Sequence, residues 1–301
     1  MKKSLEEVKA EYKLSTEEHM GISRRIISIY EEEKTPVKSP KAIFNFAPPG
    51  SGKTRLNGYA AEEFADQGED VIIINSDELK PFHPRIDEIA KLYPEYYTKV
   101  TDQESNPWTD ALFDDVLANG YNVIYEGTGR NKRLIETMRS KMQGYRIIVR
   151  CMAVDEMNCL MSIIERYEGQ VNEKGWGRLV TLEHFYKAYS TIIDTIVAME
   201  GLEFVDGVEI YCRGEGNSSP VKIYGTNDST NEFPDVRSAL IGGRNQDRIK
   251  AVGNFQGFNR IIRKLLENKP LTEEEKRILK QIQKLYNEAT KTCNKETPID
   301  R

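Results

Sequence analysis

Residues 47–54, which read APPGSGKT, constrain this chain more than any other segment of its sequence. The segment follows a β-rich run at 42–47 and precedes a helical run at 56–67, which is the setting that a phosphate-binding P-loop requires. Its glycines let consecutive backbone N–H groups point at phosphate oxygens, beside the positive end of the next helix. The sequence therefore predicts a site for the phosphates of a nucleotide.

The residues of this loop have expected roles at the phosphates. Lys53 is expected to reach the β- and γ-phosphates, and the Thr54 hydroxyl is expected to ligate Mg²⁺. Ala47 stands where such loops usually begin with glycine, and its small side chain is compatible with that position. The predicted nucleotide-binding residues are Pro49, Gly50, Ser51, Gly52, Lys53 and Thr54. Because unrelated proteins share such loops, the loop leaves the reaction open.

Short runs rich in Ile, Val, Phe and Tyr alternate with helical stretches from residue 41 onward. Four of these runs are predicted to be buried strands, at 42–47, 71–75, 121–126 and 145–153. Two further strands, near 208–213 and 221–224, are predicted to form an antiparallel pair joined by a turn rich in Gly and Ser. The alternation predicts an α/β fold, namely a P-loop kinase-like parallel sheet flanked by helices.

Helical patterns flank this region on both sides. We predict a helical N-terminal extension at 1–38, a P-loop kinase-like domain at 39–229 and a helical C-terminal extension at 230–301. Pro36 and Pro40 end the first helical pattern and mark a linker. Each extension carries an apolar stripe that must be buried somewhere.

Composition and charge exclude several classes of protein. The formal net charge is -5, so the chain as a whole lacks the basic footprint of a nucleic-acid binder. No apolar run approaches the ~20 residues of a membrane-spanning helix, and the first residues lack the apolar stretch of a signal peptide. The four cysteines form no CxxC pair, which indicates neither a metal site nor a disulfide framework. We expect a cytoplasmic protein with no nucleic-acid or membrane partner.

Polar residues follow two predicted strands, at the sheet edge where open α/β proteins bind ligands. Asp77 comes just after the second strand, where a carboxylate can accept a proton from a hydroxyl, hold Mg²⁺ through water or cap a helix. The third strand ends in Glu126, Thr128 and Arg130, which suit a polar acceptor such as a sugar nucleotide. A tight turn between glycines is the alternative explanation for this last group.

Two arginines bracket a glycine-rich stretch further along the chain. A predicted helix at 155–168 carries Arg166, and the glycines that follow lead to Arg178. Such a segment suits a mobile lid over phosphates, where arginines at the γ-phosphoryl contribute ~10³–10⁵ in rate. Surface arginines with packed apolar stems are an equal alternative on these residues alone.

With their spacing, these blocks resemble the zeta toxin family of toxin–antitoxin systems over about residues 41–225. Beyond the P-loop, the resemblance rests on NSDELK at 75–80, HPRIDE at 83–88, KLY at 91–93, GYN at 120–122, EGTGR at 126–130, MAV at 152–154 and IERYE at 164–168. That family phosphorylates UDP-N-acetylglucosamine with ATP and Mg²⁺, which blocks bacterial cell-wall synthesis. The resemblance implies ATP as phosphoryl donor, Mg²⁺ and a UDP-sugar substrate.

The resemblance also implies roles for the candidate residues. Lys53 and Thr54 resemble the family's phosphate and Mg²⁺ residues, and Asp77 resembles the general base that takes the proton of the sugar's 3′-hydroxyl. Arg166 and Arg178 look like the pair on either side of the γ-phosphoryl. Sugar-nucleotide contacts are implied for Asp110, which stands where the family has a glutamate, and for Glu126, Thr128 and Arg130.

The resemblance leaves partners and acceptor open. In this family a separate helical antitoxin covers the nucleotide site. The extension at 1–38 is expected either to act as a built-in, cis-inhibitory cover or to pack on the domain and enlarge its core. A kinase for another hydroxyl acceptor (a nucleoside, a dinucleotide or an antibiotic) and a nucleotide-dependent switch or binding module remain alternatives to a UDP-sugar kinase.

Overall fold

A six-stranded sheet forms the centre of the computed structural model, which describes residues 3–129, 132–216, 218–266 and 270–293. The strand order is β2-β3-β1-β4-β5-β6. The strands are β1 (Lys41–Phe46), β2 (Ile72–Ile74), β3 (Val123–Gly127), β4 (Arg146–Met152), β5 (Gly207–Cys212) and β6 (Val221–Gly225). The first five strands are parallel and β6 is antiparallel to β5, so the α/β fold predicted from the sequence is confirmed.

Helices connect the strands and extend the fold at both ends of the chain. They are α1 (Leu5–Tyr12), α2 (Thr16–Glu31), α3 (Lys53–Ala65), α4 (Ser76–Leu79), α5 (Ile86–Leu92), α6 (Tyr97–Asn119), α7 (Lys132–Lys141), α8 (Glu156–Lys174), α9 (Leu182–Tyr189), α10 (Ile192–Glu200), α11 (Val236–Leu266) and α12 (Glu273–Cys293), with a 3₁₀ turn at Lys80–Phe82. None of the helices in the described ranges is both long enough and apolar enough to cross a membrane.

The central strands are mainly apolar because both faces of the sheet are covered. On one face, Phe64 of α3 packs with Ile43 of β1. On the other face, Phe44 of β1 packs with Trp108 of α6 in a cluster that also includes side chains of α2, α7, α10 and the start of α11. Asn45 is a polar residue within β1, and its side chain is fully buried.

The N-terminal extension packs on α5 and α6. Val8 and Tyr12 of α1 are buried against Val100 of α6, in a cluster with residues of α5. On α2, His19 accepts a hydrogen bond at its backbone carbonyl from Trp108 Nε1 at 3.2 Å, and its Nδ1 lies 2.7 Å from Glu104 Oε2. The extension therefore forms part of the core behind α6.

The C-terminal extension packs across the sheet and onto α8. The start of α11 contributes Val236 and Leu240 to the main core, and its second half contributes Phe255 and Phe258 to a separate cluster with α8, α9 and α12. A capping box begins α12, since the backbone N–H of Thr272 donates to Glu275 Oε2 at 2.8 Å and that of Glu275 donates to Thr272 Oγ1 at 3.2 Å. Hydrophobic packing thus continues across residue 229.

Candidate active site

The phosphate loop connects the carboxyl end of β1 to α3. Gly50 and Gly52 have φ angles of 76° and 94°, a conformation that residues with a Cβ rarely adopt. A Cβ on Gly50 would also lie 2.2 Å from the carbonyl oxygen of Cys159 on α8. Glycine is therefore required at position 50 both by the turn and by the close packing of the loop on α8.

Lys53, the first residue of α3, turns its ammonium back over the loop. Its Nζ donates to the carbonyl oxygens of Ala47 and Pro48, at 2.9 and 3.0 Å. Burial lowers the pKa of Lys53, and the nearby carboxylate of Glu126 opposes that shift. Among the predicted phosphate residues, those that line the cleft are Pro49, Gly50, Gly52, Lys53 and Thr54.

Ser51 differs from the rest of the loop, because it is fully buried and does not line the cleft. Its hydroxyl donates to the carbonyl oxygen of Pro48 at 2.7 Å, and its own carbonyl oxygen accepts from Arg213 Nε at 3.3 Å. Arg213, directly after β5, also donates to the Gly50 carbonyl and, at 3.1 Å, to Ser162 Oγ on α8. This arginine holds the backbone carbonyl groups of the loop, and the sequence-based candidates did not include it.

Asp77 lies on α4, immediately beyond the carboxyl end of β2, as predicted. Lys80 Nζ lies 2.8 Å from Asp77 Oδ1 and 2.7 Å from Asp102 Oδ1, while Arg178 forms an ion pair with Asp77 Oδ2. Burial favours the neutral acid, yet the positive charges of Arg178 and Lys80 prevail and hold the pKa of Asp77 well below its usual range. The two cations therefore favour the ionised form of Asp77.

Glu126 ends β3 and is held by amides from two other elements. Its Oε2 accepts from Asn57 Nδ2 of α3 at 2.5 Å and from Asn75 Nδ2 at 3.2 Å, and Asn57 Oδ1 accepts from Asn45 Nδ2 at 2.8 Å. Asn75 also accepts from the backbone N–H of Asp77 at 3.0 Å. Burial raises the pKa of Glu126, while Lys53 opposes the rise. This amide chain fixes two candidate carboxylates relative to each other.

The cleft above the sheet edge has a volume of about 1450 Å³. One wall is a polar face of α6, on which the cleft-lining residues are Asp102, Asn106, Thr109 and Asp110. Thr128 and Glu126 line the floor at the end of β3. The structure thus brings Asp110, Glu126 and Thr128 to one cavity, and Arg130 lies outside the described residues.

Arg166 on α8 and Arg178 in the loop after it both line the same cleft. Loss of water contact and then the charge of Arg178 lower the pKa of Arg166. Both arginines thus line the cleft, and Arg178 forms an ion pair there with Asp77. Arg166 is exposed, whereas Arg178 is held by this ion pair. The phosphate-binding role of both arginines stays a prediction.

The described part of the N-terminal extension lies away from the residues that line this cleft. No residue of 3–38 is among those that line it. The apolar stripes of α1 and α2 are buried against α5 and α6, so the packing of these described residues gives no support to a cis-inhibitory cover at 1–38. The alternative expectation, an arm that enlarges the core, describes what the structure has.

The residues present fit Mg²⁺ only in combination with phosphates. Within the described ranges, no group of three or more His, Cys, Asp or Glu side chains is arranged to hold a metal. Thr54 lines the cleft next to Lys53, and Mg²⁺ usually takes one or two protein oxygens together with phosphates and water. A nucleotide-borne Mg²⁺ at Thr54 is compatible with this chemistry.

The fold and the loop define a P-loop protein with a kinase-like, mostly parallel sheet flanked by helices. The family model for zeta toxin matches residues 27–229, and the chain belongs to the zeta toxin family. The family resemblance seen in the sequence is thereby confirmed.

Curated relatives and solved structures agree with this assignment. Over 137 residues the chain is 39% identical to Toxin zeta of Enterococcus hirae and to Toxin zeta of Streptococcus pyogenes, and each match covers 45% of this chain and 47% of the relative. The chain thus spans about half the length of the curated relatives it matches.

A chain from the PezAT chromosomal toxin-antitoxin system of Streptococcus pneumoniae superposes with a TM-score of 0.63 at 19% identity, covering 93% of this chain and 98% of that one. A chain of the AvrRxo1-ORF1:-ORF2 complex gives 0.50 at 11% identity, covering 93% and 89%. These structural matches establish the fold.

Proposed function

We propose that this chain is a kinase that transfers the γ-phosphoryl of ATP to the 3′-hydroxyl of UDP-N-acetylglucosamine or a similar UDP-sugar. The observation that carries the proposal is the convergence of Lys53, Asp77, Arg166 and Arg178 on one cleft next to the phosphate loop. The polar face of α6 on the opposite wall suits an acceptor rich in hydroxyl groups. Membership of the zeta toxin family supports the same activity.

In the proposed reaction, the acceptor oxygen forms a bond to the γ-phosphorus while the bond from that phosphorus to the β,γ-bridging oxygen breaks, releasing ADP. The hydroxyl proton passes to the carboxylate of Asp77. Lys53 and Arg166 place positive charge against the phosphoryl oxygens, where charge spreads in the transition state. Mg²⁺ bound at Thr54 would neutralise further phosphate charge.

Under this proposal Arg178 binds first Asp77 and then the γ-phosphoryl. It pairs with Asp77 in the structure described here, and a bound γ-phosphoryl competes for the same guanidinium. Once Arg178 turns to the phosphoryl, Asp77 Oδ2 is released toward the acceptor hydroxyl while Lys80 keeps hold of Oδ1. Binding of the donor would thereby prepare the base.

We further propose that the chain is the toxin of a toxin–antitoxin pair and acts in the cytoplasm. The PezAT chain that shares its fold comes from a toxin-antitoxin system. Because none of the residues in 3–38 lines the cleft, a separate protein is the better candidate for an inhibitor that covers the nucleotide.

The direct experiment incubates the purified protein with ATP, Mg²⁺ and a panel of UDP-sugars, nucleosides and NAD, and identifies phosphorylated products by mass. We expect phosphorylated UDP-N-acetylglucosamine or a close UDP-sugar. A product from a nucleoside or NAD alone would replace the acceptor in the proposal. ATP hydrolysis with no phosphorylated acceptor would favour a nucleotide-dependent switch.

Two variants assign the roles within that assay. Lys53→Ala should abolish transfer without unfolding the protein. Asp77→Asn should bind ATP nearly normally in calorimetry and transfer more slowly by ~10²–10⁴-fold. If Asp77→Asn instead loses Mg²⁺-ATP binding, Asp77 is a metal residue and not the base.

A further inference from the structure

One face of α8 follows the length of the cleft. Asn158, Ser162 and Arg166 all line it and are spaced four residues apart. Because an α-helix rises 1.5 Å per residue, neighbouring positions lie ~6 Å apart and the three span ~12 Å. A ligand that lies along α8 in the cleft would therefore contact these three side chains one after another.

The first two positions can be matched to parts of a nucleotide. Arg166 lies with Arg178 and Asp77 at the end where the γ-phosphoryl is transferred. Ser162 accepts a hydrogen bond from Arg213 at 3.1 Å, and Arg213 also holds the phosphate loop at Gly50. A triphosphate that starts at Arg166 thus passes the loop near Ser162, and the ribose and base must continue toward Asn158.

The C-terminal helix α11 meets the cleft at Asn158. Asn158 Nδ2 donates to Asp247 Oδ2 at 2.9 Å and to the Asp247 carbonyl oxygen at 3.2 Å, and the backbone N–H of Asp155 donates to Asp247 Oδ2 at 2.8 Å. Asp247 and Asn158 are each only 3% exposed. Since these bonds are sheltered from water, α11 is held firmly against the start of α8.

Lys250 and Asn254 are the next two cleft-lining residues on the same side of α11 as Asp247. We propose that α11 forms the wall of the nucleotide site that binds the ribose and base, with Lys250 and Asn254 as the contacting side chains. An amide offers both a donor and an acceptor to the edge of a base, and an ammonium donates to ribose oxygens. The proposal rests on the kinase function proposed above.

This assignment gives the C-terminal extension a part in binding. The zeta toxin model ends at residue 229, so α11 lies beyond the matched region. The region shared with the family would supply the phosphate loop and Arg166, and the extension would supply contacts that distinguish one nucleoside triphosphate from another.

The experiment uses inorganic tripolyphosphate as a probe that has phosphates but neither ribose nor base. The full-length double variant Lys250→Ala/Asn254→Ala should raise the KM for ATP by roughly tenfold or more, since two polar contacts are lost. Inhibition by tripolyphosphate should be unchanged, because it occupies only the phosphate loop. The KM for the acceptor should also be unchanged, and Asn254→Asp should alter the ratio of kcat/KM between ATP and GTP.

The matched control is Gln256→Ala/Lys280→Ala, which removes an amide and an ammonium from residues outside the cleft and should leave the KM for ATP as in the wild type. Both test residues are exposed, so thermal unfolding should be unaffected by the change. An unchanged KM for ATP, or equal losses of ATP and tripolyphosphate binding, would overturn the proposal. Failure of the kinase function would differ, because the wild type itself would transfer no phosphoryl group.

Discussion

Lys80 is the least expected residue of the candidate site. Its side chain is only 2% exposed, and its ammonium lies between the carboxylates of Asp77 and Asp102. A lysine is rarely buried to this extent unless it is paired. The only sequence signal for it is the spacing from Asp77 to Lys80, which places the two on one side of a helical turn.

Lys80→Met should move the acidic limit of phosphotransfer to higher pH. Lys80 and Arg178 hold the pKa of Asp77 below its usual range, so the wild-type base stays ionised as the pH falls. In the proposed complex with ATP, Arg178 has turned to the γ-phosphoryl and Lys80 still holds Asp77 Oδ1. Removing the Lys80 cation raises the pKa of Asp77, and the ionised fraction is then lost at a higher pH. A single nearby opposite charge shifts an Asp by about 1–3 units, so we expect the acid limb of kcat to rise by about one pH unit.

The comparison variant is Lys99→Met on the exposed side of α6, which should keep the wild-type pH profile. Circular dichroism at each pH separates loss of activity from unfolding. If kcat falls at the same acidic pH in Lys80→Met and in the wild type, Lys80 does not act through Asp77.

Gly50→Ala should abolish nucleotide binding, whereas Gly58→Ala should be harmless. At Gly50 a methyl group meets the Cys159 carbonyl at 2.2 Å and the φ of 76° is strained for alanine, so the loop must move. At Gly58, inside α3, a Cβ meets nothing within 4 Å, and alanine is the better helix former by ~0.8–1 kcal/mol. Calorimetry with ATP and thermal unfolding check both; normal ATP affinity in Gly50→Ala would contradict the close packing on α8.

The strands could be predicted because each one is a short apolar run bounded by turns. β1 is the clearest case, since Ile43 and Phe44 face opposite covered sides of the sheet and both must be apolar. Asp77 and Glu126 could be predicted for a related reason, because the carboxyl ends of parallel strands meet at one edge. These inferences need only local sequence and the geometry of a parallel sheet.

The supporting residues of the site could not be predicted in the same way. Asn57 pairs with Glu126 across 69 positions, and Arg213 reaches Gly50 across 163, so neither pairing leaves a local pattern. Arg213 did carry one usable signal, because it directly follows a strand of the same sheet. Lys250 and Asn254 carried none, since on a helix of mixed composition they look like ordinary solvated positions.

Deleting residues 1–36 should destabilise the protein and should not activate it. Tyr12 donates to Glu88 at 2.9 Å, the backbone N–H of Leu14 donates to Glu104 at 3.2 Å, and Ile26 is fully buried in the main core. These contacts support α5 and the side of α6 that faces away from the cleft. The polar face of α6 lines the cleft. We expect a lower melting temperature and unchanged or reduced phosphotransfer. Faster transfer or greater toxicity on expression would restore the autoinhibitory interpretation.

The hydrophobic core extends from the sheet into the C-terminal extension. Helix α11 alone supplies buried side chains to two clusters, including Leu240 in one and Phe255 and Phe258 in the other. Its close approach to the sheet depends on Gly243, where a Cβ would lie 2.7 Å from Ala153. Residues 27–229, which match the family, therefore share their core with a helix beyond them.

A fragment of residues 1–229 should consequently fail to fold on its own. Each large apolar side chain removed with α11 stabilises the fold by ~1.5–3 kcal/mol, and a typical domain is stable by only ~5–15 kcal/mol. Loss of Leu240, Phe255 and Phe258 and of the Asp247 contacts would consume most of that margin and expose apolar surface on β5 and α8. We expect the fragment to lack near-ultraviolet circular dichroism and a cooperative thermal transition. A fragment of residues 1–266 keeps α11 and should retain a cooperative transition at a lower melting temperature. Cooperative unfolding of 1–229 near the full-length melting temperature would show instead that the family region is an independent domain.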